Sequence, residues 1–157
     1  MLRRSAPIAG ALLLLALSGC SSTVALEPAQ DANNPACAEV SVRLPDAIGD
    51  LPRRWTDAQA TAAYGDPTAV IVACGVEVPG PTAELQCVTL DGVDWLVDDT
   101  LRPKMRMTSY GRDPAVQVFV DTEVIGANEV LTNSSLVGGV RTIPATSKCI
   151  APDELPE

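Results

Sequence analysis

Five cysteines, Cys20, Cys37, Cys74, Cys87 and Cys149, stand in this chain of 157 residues, and histidine is absent from it. Cysteines spaced this widely constrain a fold more than any local pattern, because each cross-link dictates which distant segments must meet. The missing histidine excludes Ser-His-Asp and Cys-His nucleophilic sites, imidazole general bases and histidine-ligated zinc. No Cys-x-x-Cys spacing occurs, so a thioredoxin-like redox role is not indicated, and no metal or other cofactor is expected. With 11 basic against 20 acidic groups the net charge is −9. That excludes a nucleic-acid partner, since neutralising phosphates needs a basic face. The length suits one domain.

Cys20 is set apart by what precedes it. Arg3 and Arg4 form a positive n-region, and Ile8 to Leu17 form a short apolar run, well below the roughly 20 residues of a permanent membrane helix. Residues 1–19 therefore read as a secretory signal peptide that is removed. Ser5-Ala6-Pro7 follows the arginine pair where twin-arginine export wants apolar residues, so the general route is favoured. Leu17-Ser18-Gly19-Cys20 resembles the lipobox of bacterial lipoproteins. The resemblance implies that Cys20 receives a diacylglycerol thioether and becomes the new N-terminus. At ~0.8 kcal/mol per buried CH₂, two or three acyl chains hold a protein on a membrane far better than one. The expected location is the cell membrane, lipid-anchored and facing outside the cytoplasm. Without Arg3 and Arg4, nine basic groups remain against 20 acidic ones, a formal charge of −11.

Four further cysteines in an exported chain are expected to form disulfides. Cys37, Cys74, Cys87 and Cys149 allow three pairings. The favoured pairing is Cys74–Cys87, across two neighbouring strands, with Cys37–Cys149 tying the start of the domain to its end.

Residues 20–35 are small, polar and proline-punctuated, the composition of a flexible tether. A single globular domain is expected over 36–151, with a disordered tail at 152–157. Val40, Val42 and Leu44 alternate as on a strand. Residues 45–55 read as a loop, and Thr56 with Gln59 resembles a capping box that opens a helix ending at Gly65. Residues 68–76 are apolar on both faces and β-branched, which marks a central strand. Residues 85–90 and 93–97 flank Asp91-Gly92, a type I′ hairpin signal. Residues 104–110 and 115–121 form a second hairpin with Val116, Val118 and Val120 facing the core. Residues 128–140, with Asn128 as N-cap, make the other helix, ended or loosened at Gly138-Gly139. The expected fold class is α+β: a mainly antiparallel sheet of about five strands with two short helices, disulfide-stapled.

Ala63-Tyr64-Gly65-Asp66-Pro67, Cys74-Gly75-Val76, Asp91-Gly92-Val93-Asp94-Trp95 and Tyr110-Gly111-Arg112 follow one another in that order after the lipobox. In this the chain resembles the actinobacterial lipoproteins and secreted proteins grouped as the domain-of-unknown-function 3515 family, over roughly residues 36–150. Tyr64 stands where the resemblance leads one to expect tryptophan. The resemblance implies location and fold, and no catalytic residues.

Arg102, Lys104 and Arg106 alternate, and on a strand they would share one face. They form a candidate anion-contact stripe for a phosphate or carboxylate ligand, although a cross-strand ion ladder with Asp94 and Asp98 is the favoured account. Asp91, Asp94, Asp98 and Asp99 lack the glycine-containing pattern of a calcium loop and read as a solvated acidic edge. Trp95, and less firmly Trp55, are expected to anchor the core. The function expected is a non-enzymatic binding or accessory module of the cell envelope. Its partners are the membrane, through the lipid on Cys20, and an envelope protein or wall component. The alternative is a small carboxylate-dependent enzyme acting on wall polymers through Asp66, Asp94 or Asp98.

Overall fold

The structure, a computed structural model, describes residues 23–150. The signal segment, Cys20 and the tail at 152–157 lie outside the described residues. In chain order the elements are α1 (Pro35–Ser41), β1 (Ala47–Ile48), β2 (Leu51–Arg54), β3 (Thr61–Tyr64), β4 (Val70–Val76), β5 (Gln86–Leu90), β6 (Val93–Leu101), β7 (Lys104–Ser109), β8 (Ala115–Asp121), α2 (Ala127–Leu131) and α3 (Ser134–Val140). The described residues thus carry eight strands rather than about five, and three short helices rather than two.

All eight strands join one antiparallel sheet in the order β1-β2-β3-β4-β8-β7-β6-β5. Two four-stranded meanders are therefore zipped together along β4 and β8. The residues across one row, Val97, Met107, Val118, Val72 and Ala62, are apolar. On the opposite face the row Leu96, Thr108, Gln117, Ala73 and Thr61 is mixed. A sheet with one apolar face needs a cover. That cover is helical: α1 packs on β4 and on α3, and α2 packs on β8. Val40, Leu131, Leu136, Val140 and Ile143 meet Val72, Trp95, Met107 and Val118 in the core. No helix among the described residues is long and apolar enough to cross a membrane.

The central strand and both hairpins follow the sequence reading. Leu90 pairs with Val93 across Asp91 and Gly92, whose φ angles of 48° and 73° suit a type I′ turn. Val116, Val118 and Val120 are buried. Four expectations need correction. The alternating residues after Cys37 belong to a helix: Asn34 caps it by accepting from the Ala36 amide, Pro35 occupies its first turn, and Cys37 and Val40 share its buried side. Val42, which seemed to alternate inward, is 77% exposed. The stretch 45–55 contains β1 and β2. The capping-box helix does not form: the Thr61 hydroxyl donates to the Ala58 carbonyl at 2.6 Å and lies 2.8 Å from the Thr56 hydroxyl, and Ala62, Ala63 and Tyr64 are buried in β3. Burial between β2 and β4 overrides the helix propensity of this alanine-rich run. The last helix is split, because the Asn133 side chain accepts from the Ser135 and Leu136 amides and caps α3, while Gly126 caps α2.

The disulfides are Cys37–Cys74 and Cys87–Cys149, with Cα separations of 5.5 and 5.7 Å. The expected Cys74–Cys87 link assumed that consecutive strands are neighbours. Instead β8, β7 and β6 lie between β4 and β5, a gap of four strand spacings or about 19 Å, beyond any disulfide's reach. Cys37–Cys74 staples α1 to the middle of the sheet. Cys87–Cys149 staples the edge strand to the C-terminal segment.

The glycines of Cys74-Gly75-Val76 and Tyr110-Gly111-Arg112 are structural. Gly75 has φ +91°, and a Cβ there would run into the Asp31 backbone where the Asp31 amide donates to the Gly75 carbonyl at 3.0 Å. Gly111 has φ +70°, and a Cβ would strike the Ser147 backbone. Both sites need glycine for space and for dihedral angle. Part of the stretch read as a tether is likewise attached to the domain. Val24 makes a parallel bridge to Thr56, and Ala32 is buried.

Candidate functional site

A concavity lies beside β2, at the β1–β2 end of the sheet. It is a cleft of about 500 Å³ lined by Asp46, Arg53, Arg54, Trp55, Thr56 and Thr61. The register sets its walls, with Arg53 opposite Tyr64 and Arg54 opposite Ala63. The Arg54 side chain is largely buried and donates to the Gly65 carbonyl, Asp66 Oδ1 and Thr68 Oγ1 at 3.2–3.3 Å. It thereby ties β2 to the β3–β4 turn. Arg53 donates to the Leu44 carbonyl at 3.3 Å. Beneath it the Tyr64 hydroxyl donates to the Pro45 carbonyl at 3.1 Å. Burial raises the Tyr64 pKa to about 12, with Arg53 opposing and Asp46 adding to the rise. Trp55, expected in the core, is instead 77% exposed at the cleft, while Trp95 is fully buried as expected.

The cleft offers guanidinium and hydroxyl donors, one carboxylate and an indole face. That set suits recognition of an anionic or amphipathic surface by charge-assisted hydrogen bonds and stacking. The sequence reading missed it by placing these residues in a loop and a helix. Its one visible signal was the run Arg53-Arg54-Trp55, in a chain with few basic and few aromatic residues.

The candidate stripe does not form one continuous patch. Lys104 and Arg106 share a face of β7, but Arg102 lies in the β6–β7 turn, where it pairs with Asp99 at 2.7 Å. Arg106 faces Asp98 in register, with 3.9 Å between their charged atoms, and Lys104 lies opposite Asp121. The hollow bounded by Asp98, Lys104 and Arg106 holds about 10 Å³, which is room for little more than one water. The geometry is that of an ion ladder, in which Asp98 and Asp99 are the partners and Asp94 is not.

The acidic groups considered for catalysis lie apart and are engaged. Asp66 meets Arg54. Asp94 Oδ1 accepts from the Thr89 hydroxyl at 2.5 Å, and its Oδ2 accepts from the Cys149 amide at 2.7 Å. Asp98 accepts from the Thr100 hydroxyl and amide, and these bonds, helped by Arg106, hold its pKa below the usual carboxylate value. Asp94 is thus a clamp on the C-terminal segment. Near it, buried Arg112 donates to the Ile143 and Gly92 carbonyls, and burial lowers its pKa. Among the described residues, no group of three or more cysteine or acidic side chains is placed to hold a metal ion. A second cavity of about 370 Å³, bounded by Leu96, Tyr110, Ile150 and the Cys87–Cys149 bridge, is mainly apolar.

Comparison with curated proteins and with solved structures finds no match to this chain. A family model does match, over residues 8–145, which takes in every strand and helix described above. The chain therefore belongs to the family described as protein of unknown function, DUF3515.

Proposed function

We propose that the protein is an extracytoplasmic lipoprotein, anchored through Cys20, that serves as a non-enzymatic binding or accessory module of the cell envelope. The observation that carries this reading is the attachment of Val24. Its amide donates to the Trp55 carbonyl at 2.8 Å, and the Leu26 amide donates to Asp57 Oδ1 at 2.8 Å. An attachment of the chain to the domain therefore stands four residues after the lipobox cysteine, an arrangement that suits a module held close against a membrane. The dispersal of Asp66, Asp94 and Asp98 into separate structural bonds weighs against the carboxylate-enzyme alternative, since glycoside hydrolysis needs two carboxyl groups about 5–10 Å apart across one substrate. The test is fractionation with radiolabelled palmitate. The wild-type chain is expected to carry label and remain with membranes, and Cys20→Ala to lose both. In-cell crosslinking then reads the partner: recovery of a defined envelope protein or wall fragment supports the module. Labelled Cys20→Ala retained in the membrane overturns the anchor.

A further inference from the structure

We infer that the Arg53–Trp55 cleft faces the membrane that carries the anchor, with Trp55 seated in its headgroup interface; this rests on lipidation of Cys20. Four peptide units separate Cys20 from Val24, at most about 14 Å of extended chain. Val24 is hydrogen-bonded to the backbone of Trp55 itself, at 2.8 Å, and the Asp57 amide returns to the Val24 carbonyl at 3.4 Å. One strand spacing, about 5 Å, therefore separates the anchoring chain from Trp55. The thioether of a lipidated Cys20 sits at the boundary of acyl chains and headgroups, and the headgroup layer is roughly 6 Å deep on each side of a bilayer. Trp55 is thus confined to within about 20 Å of that boundary.

The chemistry of the cleft matches this position. Trp55 is the bulkiest of the exposed apolar side chains among the described residues, and its exposure of 77% would be costly in open water. An indole has an apolar body and one N–H donor, which is why tryptophan concentrates where acyl chains meet headgroups. Arg53, in the same cleft, places a guanidinium where a lipid phosphate would accept from it. The acidic character of the chain, with 20 acidic against 11 basic groups, disfavours any broader contact with an anionic leaflet. The contact is therefore local to the cleft.

The protein contains two tryptophans, and the other, Trp95, is fully buried, so fluorescence separates them. The lipidated full-length product is reconstituted into phosphatidylcholine vesicles, with and without phosphatidylglycerol, containing lipids brominated at the shallow or the deep end of the acyl chain. Palmitate labelling of the same sample reports the anchor independently. The expected result is a blue shift of Trp55 emission, strong loss of that emission to shallow bromines, and protection from aqueous acrylamide. Trp55→Phe is expected to remove the bromine-sensitive component and leave the Trp95 emission unquenched. A labelled protein whose Trp55 stays open to acrylamide and untouched by bromines overturns the inference while sparing the anchor. Protection of Trp55 by added wall-glycan fragments instead of lipid assigns the cleft to a sugar and also overturns it. An unlabelled protein overturns both readings together.

Discussion

Removing each disulfide separately sets loop length against burial, and the two arguments predict opposite orders of cost. In the chain-entropy account, Cys37–Cys74 with a separation of 37 residues is worth about 3.9 kcal/mol, and Cys87–Cys149 with a separation of 62 is worth about 4.3 kcal/mol. By loop length alone the second should matter more. Cys37 and Cys74 are 0% and 1% exposed in the core between α1 and β4, however. Replacing both by alanine also removes two buried sulfur atoms, at about 1 kcal/mol each. The inner pair should then cost roughly 5–6 kcal/mol. Cys87 and Cys149 are only half-buried. The segment after Ile143 is held otherwise by the bonds of Thr146 to Gly111, the Arg112–Ala145 bridge and the Asp94 clamp. Once uncrosslinked it frays, and each freed residue returns about 1 kcal/mol of backbone entropy to the native state. The net cost should fall to about 2 kcal/mol. Urea unfolding of the chain from Ser21 onward, as Cys37→Ala/Cys74→Ala and as Cys87→Ala/Cys149→Ala, measures both. The inner variant is expected to be less stable by about 3 kcal/mol, near 10 °C in Tm. Equal losses, or a larger loss for the outer pair, would refute the burial argument.

Other perturbations probe single residues. Tyr64 has its pKa raised by burial from 10.0 to about 12; the folded state holds its proton longer than the unfolded one, so this contribution is intact below pH 10 and is lost as pH rises from 10 to 12. The loss amounts to roughly 3 kcal/mol, and Tyr64→Phe should flatten that alkaline slope in pH-dependent unfolding. Arg112→Met leaves the Ile143 and Gly92 carbonyls without their donor and is expected to lower stability by about 3 kcal/mol in urea melts; Arg112→Lys should lose less. Gly111→Ala forces a side chain into φ +70° against the Ser147 backbone, and a loss of about 2 kcal/mol or more is expected by thermal melt. Arg106→Gln, which removes only an exposed ladder pair 3.9 Å long, should change stability by less than about 1 kcal/mol.

What the sequence disclosed follows from the range of the interactions that shape each element. The β5–β6 turn was legible because Asp91-Gly92 carries its own dihedral preference, and β4 was legible because a β-branched apolar run bounded by turn residues suits a strand with neighbours on both sides. β2 and β3 were illegible because they are short, and Ala62, Ala63 and Tyr64 read as a helix until burial between neighbours decides otherwise. The helix at Pro35–Ser41 hid behind Val42, whose apolar side chain counterfeits a strand period while facing solvent. The disulfide pairing was out of reach because it depends on strand order, and β8 slips in beside β4 only through contacts distant in sequence. The cleft failed for the same reason: Asp46, Arg53 and Thr61 converge only when β1, β2 and β3 are stacked side by side.

The two cross-links are also consecutive along the chain: the first cysteine of the domain joins the second, and the third joins the fourth, each pair fastening a strand of one four-stranded meander to a segment outside the sheet. Under the proposed export, with Cys20 already taken by lipid, a polypeptide threaded outward from its N-terminal end would meet each correct partner before a competing thiol arrives. Cys74 emerges 13 residues ahead of Cys87. An oxidant that joins the four remaining thiols in order of emergence would then make the native bonds at the first attempt, leaving a shuffling isomerase nothing to repair.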